Sequence, residues 1–558
     1  MNWRYSLVFG VFVVAFLLVF SRLFYWQVIR AEELSLMGQM QYGRNIVIMP
    51  KRGEIKTSDG FPIATQKISY LVYANPKNIK ELDKNKVSRL LSSILDTDVA
   101  SISGLLNRNL LWVSLGIVGK EKKDEIEKFK LDGIDFEQHF SRFYPEASTA
   151  AHLVGFVGKD NEGEDKGYFG LEGFYNRQLR GKPGILRQIN DAMGRPIIAK
   201  MSSDEDKIDG RSLNLHIDRV IQFIVEKKLK YGIDKYGASG GMIAVINPKT
   251  GGILAMSAFP AFDQKNYDEY RDELFKNPFI TSLYEPGSTF KSLIMASAID
   301  AGLVRPDTKC PICSAPITIG EYEIKTWNNK YIKNITMTEV IKHSDNTGMV
   351  YVSRVMGLKN MMIYFKKFGI GDITGIDLQG EVSPIARKNW YPIDIATASF
   401  GQGISMTPLE LLVGFSAIAN EGKRMEPHIV ASIDTADGKN ILIPPKEINA
   451  PISSRTARIM TEMLVNAVNN GEAKWAKPKG YRIAGKTGTS QIPIAGHYDV
   501  SKTIASFIGF APADDPKFAM LVILDRPTTS IYGADTAAPI FFSIARDIFN
   551  HYGIMPKE

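Results

Sequence analysis

The sequence predicts a multidomain chain: an N-terminal transmembrane helix, a mixed α+β module and a large α/β domain. Three observations carry that prediction. An uncharged apolar run opens the chain, glycine-punctuated strands and short helices follow it, and the second half holds longer helices around a β-hairpin. A length of 558 residues, 44% hydrophobic and 23% charged, excludes general disorder and a lone small module. It suits roughly two to four domains. The 68 Lys and Arg exceed the 60 Asp and Glu by only a formal +8, and no block of five or six like charges occurs. No nucleic-acid tail is therefore expected.

Leu7 to Phe20 hold no charge and one glycine, Gly10, and apolar character resumes after Ser21-Arg22 in Leu23-Phe24-Tyr25-Trp26. As a helix, Tyr5 to Val28 would reach about 36 Å, enough to cross a bilayer. Arg22 can snorkel at one face, and Tyr25 and Trp26 suit the interface. No small-x-small cleavage site follows, so an uncleaved anchor is favoured over a signal peptide. Arg4 and the α-amine precede the helix while Arg22 and Arg30 lie at or beyond its far end, so the positive-inside count does not decide orientation.

From Arg44 to Pro76 strands and turns alternate: Asn45 to Met49 is β-rich, Ser58-Asp59-Gly60 is a turn, and Ile68 to Tyr73 is another apolar run. Short helices are expected near Val87 to Leu95 and Glu121 to Lys130. Gly167 to Gly173 and Gly181 to Gly184 fit neither phosphate-loop spacing. The polar stretch Ser202 to Gly210 is the boundary candidate. Beyond it, Asp218 to Lys230 reads as an amphipathic helix and Gly241 to Ala258 as a hairpin. The expected divisions are 1–29 (cytoplasmic tail and anchor), 30–205 (α+β module) and 206–558 (α/β domain).

Three polar groups in that last part carry chemistry. Ser288-Thr289-Phe290-Lys291 follows Glu285-Pro286-Gly287 and opens an apolar helix that Gly302 would cap. Among all serines, Ser288 alone has a lysine three residues on. Residues i and i+3 share a helix face, so the Lys291 amine can reach the Ser288 hydroxyl. Serine needs a base at neutral pH, and lysine serves when burial and a positive field depress its pKa. Ser344-Asp345-Asn346 lies between two apolar helices; by itself it also reads as a helix cap. Lys486-Thr487-Gly488-Thr489 reads as a strand in which Gly488 lets a peptide approach, the Lys486 charge with the two threonine hydroxyls suits a carboxylate, and the Ser288 and Thr489 amides can form an oxyanion hole. A second K-T-G, Lys249-Thr250-Gly251, falls at the hairpin turn and is assigned a structural role. The only two cysteines form Cys310-Pro311-Ile312-Cys313, which is open to three readings: a redox or metal half-site, a local disulfide, or two idle thiols.

The order S-x-x-K, S-D-N, K-T-G is that of penicillin-binding proteins and class A β-lactamases. The chain resembles a class B penicillin-binding protein, a membrane-anchored peptidoglycan transpeptidase, over nearly its whole length. Arg52-Gly53 with Asp59-Gly60, Gly170-Leu171-Glu172, and Gly401-Gln402-Gly403 with Thr407-Pro408 add to the likeness. Phe507-Ile508-Gly509-Phe510-Ala511-Pro512 resembles division-type more than elongation-type members. The resemblance implies a serine β-lactamase-like fold, an antiparallel sheet flanked by helices, above a pedestal or dimerisation domain. It implies that Ser288 attacks a D-Ala-D-Ala stem peptide, with Lys291 as base, Ser344 as proton relay, Asn346 as substrate clamp, and Lys486, Thr487, Gly488 and Thr489 around the substrate carboxylate. An amine of a second stem peptide would resolve the acyl-enzyme, and β-lactams would acylate the same serine. No cofactor or metal is implied. A polytopic glycan polymerase and other division proteins are implied as membrane partners, with the catalytic domain outside the cytoplasm. The rival readings are an elongation-type transpeptidase, a β-lactamase-like enzyme and a β-lactam sensor; the anchor and pedestal disfavour the second, and a single predicted span disfavours the third.

Overall fold

The computed structural model describes residues 3–146, 148–189, 202–385, 387–494 and 497–557. They fall into two compact units, the first made of the chain up to Arg52 together with Arg180–Gly210. Its long helix α1, Trp3–Phe24, runs on through a π-helical turn, Tyr25–Ile29. No residue of α1 is buried and the mean hydropathy over Trp3–Ile29 is 2.6, so its apolar side chains face outward all round, as in a helix solvated by lipid. The first two residues of the expected cytoplasmic tail lie outside the described residues. Arg22 lies over the rings of Tyr25 and Trp26, 5.8 and 5.0 Å from their centroids. Further on, Gly43–Ile48 and Ser202–Glu205 flank Gly184–Ile189 in a three-stranded antiparallel sheet. The polar stretch from Ser202 therefore begins as a paired strand.

The second unit combines Gly53–Leu179 with Arg211–Glu558. One of its sheets has seven strands, joining Ile55–Lys56, Pro62–Ala74, Val113–Val118 and Ile134–Phe143 to Ser212–Leu215, Val430–Asp434 and Asn440–Leu442. Two of the motifs read from the sequence act here. A Cβ on Gly53 would sit 1.8 Å from the Arg211 carbonyl oxygen, so only glycine lets these backbones meet. Glu172, fully buried, pairs with Arg142 at 2.6 Å, and Arg142 also donates to the Gly53 carbonyl at 2.8 Å. The short helices Lys84–Leu95 and Val99–Leu106 put Leu91, Ile102 and Leu106 against Val72 and Leu115 of this sheet.

The remaining architecture is layered. Helix α2, Arg219–Tyr236, is N-capped by Asp218, whose carboxylate accepts from the amides of Val220 and Ile221. It leads into the hairpin of β1, Gly240–Ile246, and β2, Ile253–Phe259. Among the helices that follow, four bear on the site: α3 (Lys291–Asp300), α4 (Met337–His343), α5 (Asn346–Phe368) and α6 (Ser454–Asn470). Strands β3 (Ala484–Ile494), β4 (His497–Ala511) and β5 (Phe518–Asp525) and the last helix α7 (Ala537–His551) complete the fold. The five strands form one antiparallel sheet in the order β2-β1-β5-β4-β3.

Both faces of this sheet are covered, and β5 shows it residue by residue. Met520, Val522 and Leu524 join a core with α2 and α7, whereas Ala519, Leu521 and Ile523 join the core containing α3 and α6. Such a strand reads as a continuous apolar run, because each alternate side chain has its own hydrophobic layer. β3 is an edge strand.

Candidate active site

Ser288 sits in a 3₁₀ turn, Gly287–Thr289, that feeds into α3. The turn is held from several sides. Gly287 has φ +57°, its amide donates to the Gly401 carbonyl at 3.0 Å, and a Cβ on it would lie 2.2 Å from Ser490 Oγ. A Cβ on Gly401 would in turn meet the Gly287 carbonyl at 2.2 Å, and Glu285 accepts from the Gly403 amide at 3.0 Å. The Gly401-Gln402-Gly403 stretch thus packs against the serine turn. α3 is buried from Lys291 to Ile299, while Ser288 stays half-buried, with no hydrogen bond to its Oγ among the described residues.

Lys291 is wholly buried, and its amine does not bond to Ser288 as the helical spacing suggested. It donates to the Ser344 carbonyl at 2.6 Å and to Asn346 Oδ1 at 2.7 Å, with Ser344 Oγ at 3.3 Å. The reason is local. Ser344 ends α4 in the left-handed region at φ +55°, and its carbonyl is a better acceptor for an N–H than a hydroxyl is. Burial and the positive field of Lys486 hold the Lys291 amine well below the usual lysine range, against smaller opposing effects of Asp345 and Glu472.

Asp345 is the N-cap of α5, accepting from the Gly348 amide at 2.8 Å and from the Thr347 hydroxyl at 2.6 Å. The helix-cap reading of Ser344-Asp345-Asn346 therefore holds for the middle residue, while its neighbours face Lys291. Asn346 Nδ2 also donates to the Lys325 carbonyl at 2.9 Å, which fixes the plane of its amide.

On β3, Lys486 and Gly488 are buried while Thr487 and Thr489 are half-buried, the alternation of a strand at the rim of a cleft. Lys486 Nζ donates to the Thr487 carbonyl at 3.1 Å and to its Oγ1 at 3.2 Å, and burial brings its pKa down to about 8, opposed by Glu472. A Cβ on Gly488 would approach Ser506 Oγ on β4 to 2.2 Å and Thr289 Cγ2 of the serine turn to 2.8 Å, so the neighbouring strand and the turn together leave room here only for glycine. Thr489 Oγ1 accepts from the Gly533 amide at 3.1 Å. Neither Gly533 nor Glu472, whose Oε2 receives a long hydrogen bond of 3.4 Å from Thr487 Oγ1, was legible in the sequence. Both come from loops with no motif; an acidic residue after Gly471 was the only signal.

The second K-T-G lies elsewhere. Lys249 is at the β1–β2 turn, half-exposed and paired with Asp515. Cys310 and Cys313 are joined in a disulfide and fully buried, which resolves the three readings of that pair. No group of three or more metal-ligating side chains occurs among the described residues.

An antiparallel sheet covered on both faces, with a serine at the mouth of a buried helix, two buried lysines and a K-T-G edge strand, defines a penicillin-binding transpeptidase architecture. The chain matches the penicillin binding protein transpeptidase domain over residues 241–548 and the penicillin-binding protein dimerisation domain over 47–215, and it belongs to that family. It is 32% identical over 569 residues to the stage V sporulation protein D of Bacillus subtilis, covering 99% of this chain and 86% of the relative. It is 29% identical to the peptidoglycan D,D-transpeptidase FtsI of Escherichia coli, covering 100% and 93%. Penicillin binding protein 2X of Streptococcus thermophilus shares the fold with a TM-score of 0.76 at 24% identity, over 91% of this chain and 80% of that one. Penicillin binding protein 3 of Mycobacterium tuberculosis, solved in complex with aztreonam, superimposes with a TM-score of 0.71 at 25% identity, over 92% and 98%.

Proposed function

We propose that this chain is a single-pass peptidoglycan D,D-transpeptidase, with its catalytic domain outside the cytoplasm, that cross-links stem peptides in septal wall synthesis. The supporting observation is the state of Lys291. A neutral amine has two protons and one lone pair; with both protons given to the Ser344 carbonyl and Asn346 Oδ1, the lone pair is left to accept a proton from a hydroxyl.

In this reading the Ser288 oxygen attacks the carbonyl carbon of the penultimate D-alanine and its proton passes to Lys291. The oxyanion is met by the backbone amides of Ser288 and Thr489. As the C–N bond breaks, the leaving D-alanine nitrogen takes a proton through the Ser344 hydroxyl. Lys486, with Thr487, Gly488 and Thr489, holds the substrate carboxylate, and Asn346 both clamps the substrate and positions Lys291. An amine of a second stem peptide then attacks the ester carbon, giving its proton to Lys291, which returns it to the Ser288 oxygen as the C–O bond breaks. β-Lactams enter at the first step. The division of labour proposed along the chain is an anchor over 1–29, a pedestal over 30–205 and the transpeptidase over 206–558.

The partners proposed in the membrane are a polytopic glycan polymerase and other division proteins. The stretch Phe507 to Pro512 favours the septal role over lateral elongation. A fluorescent fusion confined to division sites would agree, and one spread along the lateral wall would support elongation. The reaction itself is tested with a thioester or stem-peptide donor, with and without a D-amino acid acceptor. Acceptor-dependent product is expected; rapid hydrolysis with no acceptor product would favour a β-lactamase or carboxypeptidase.

A further inference from the structure

Besides Asp345, which caps α5, the site contains a carboxylate that the reaction just described does not use. Helix α6 ends at Gly471, where a Cβ would lie 2.2 Å from the Ala467 carbonyl and 3.0 Å from that of Lys342, so the loop is pressed against the end of α4 beside Ser344. Glu472 follows. Its Oε2 receives the Thr487 hydroxyl proton at 3.4 Å, and that same hydroxyl oxygen accepts from Lys486 Nζ at 3.2 Å. Its Oε1 is buried and has no hydrogen-bond partner among the described residues. An unpaired buried carboxylate oxygen costs stability, and such groups cluster where their charge has a task.

We propose that Glu472 is a positioning residue of the transpeptidase site: its carboxylate aims the Thr487 hydroxyl and supplies a negative charge that distinguishes the two buried lysines. The inference rests on the transpeptidase reading above. Two lysines enclosed in one site repel each other, and the chemistry needs them in opposite states, Lys291 as amine and Lys486 as ammonium. Nothing in burial alone separates them, since both are nearly inaccessible. Glu472 does. It reaches Lys486 through one hydroxyl, and at Lys486 its charge is what acts against burial. At Lys291 it ranks behind burial, Lys486 and Asp345. The other ionisable groups facing this corner are His343 at the end of α4 and Asp345 at the start of α5, with Lys342 and Glu339 of α4 acting on His343.

The test is the pH profile of acylation by a fluorescent penicillin, measured on the full chain in detergent for wild type, Glu472→Gln and Glu472→Asp. With Lys291 needed neutral and Lys486 charged, the profile is a bell whose acidic limb follows Lys291 and whose basic limb follows Lys486. Removing the anion lowers both pKa values but acts more strongly at Lys486, so in Glu472→Gln the basic limb moves to lower pH by about one unit and the acidic limb by less, narrowing the bell, and Glu472→Asp keeps both near wild type at a lower maximal rate. A Glu472→Gln bell that is lower but unmoved, or unchanged altogether, overturns the proposal. If Glu472→Gln does not fold, displaced limbs in Glu472→Asp overturn it and wild-type limbs support it. Failure of the wild type to label, or labelling that survives Ser288→Ala, instead removes the transpeptidase reading beneath it.

Discussion

The two copies of K-T-G differ in burial rather than in spelling. Lys486 is 3% exposed beside the serine turn, while Lys249 is half-exposed at a hairpin turn. Replacing Lys486 with Ala is expected to slow penicillin acylation about 100-fold or more, as for loss of a charged contact made in the transition state. Lys249→Ala removes an exposed ion pair worth little, so its acylation rate stays within about twofold of wild type. The reverse ranking would overturn the assignment. A second expectation follows from the Lys486 pKa of about 8. Above it the ammonium is lost, so acylation by a carboxylate-bearing penicillin falls as pH rises through about 8, and a stopped-flow rate that stays flat to pH 10 would contradict it. At this scale the sequence showed which residue types meet, because S-x-x-K on a helix forces proximity. It did not show that Lys291 turns to Ser344 and Asn346, since helical spacing sets distance and not the choice of acceptor.

Elements explain the motifs that do no chemistry. Gly53 lets the backbone just before the strand Ile55–Lys56 lie against Arg211, and Glu172 balances Arg142 in a buried pair. Glu172→Ala leaves a buried guanidinium without its anion, so it is expected to lower stability by about 3–5 kcal/mol in urea unfolding while Ser288 still labels in the folded fraction. A change under 1 kcal/mol would remove the pair from the account. Local signals marked these elements well: the hairpin and the Gly302 stop stand where the residues put them, Gly302 with φ +71°, while the helix expected over Asp218 to Lys230 begins after an Asp218 cap and runs on to Tyr236. The seven-stranded sheet was not legible. Its strand Ser212–Leu215 pairs with Ile55–Lys56 on one side and Val430–Asp434 on the other across long sequence separations, and short strands carry no mark of a distant partner.

On the scale of the molecule, order was the informative feature: each polar triplet alone reads as a cap or a turn, and the three in sequence describe one cleft. The apolar N-terminal helix was equally legible: it is exposed along its whole length and long and apolar enough to cross a membrane, which fits a single-pass anchor. The full chain should stay with the membrane after carbonate washing and leave it in detergent; release by carbonate alone would argue against a spanning segment. Glu472 and Gly533 show where sequence reading stops, since loops bring them to the site through tertiary contacts that leave no pattern. The most direct test of the central claim is mass spectrometry of the purified chain after incubation with penicillin G. One penicilloyl adduct per chain, mapped to the peptide holding Ser288 and absent in Ser288→Ala, is the predicted result. An adduct elsewhere, or none on a folded wild-type protein, would contradict it.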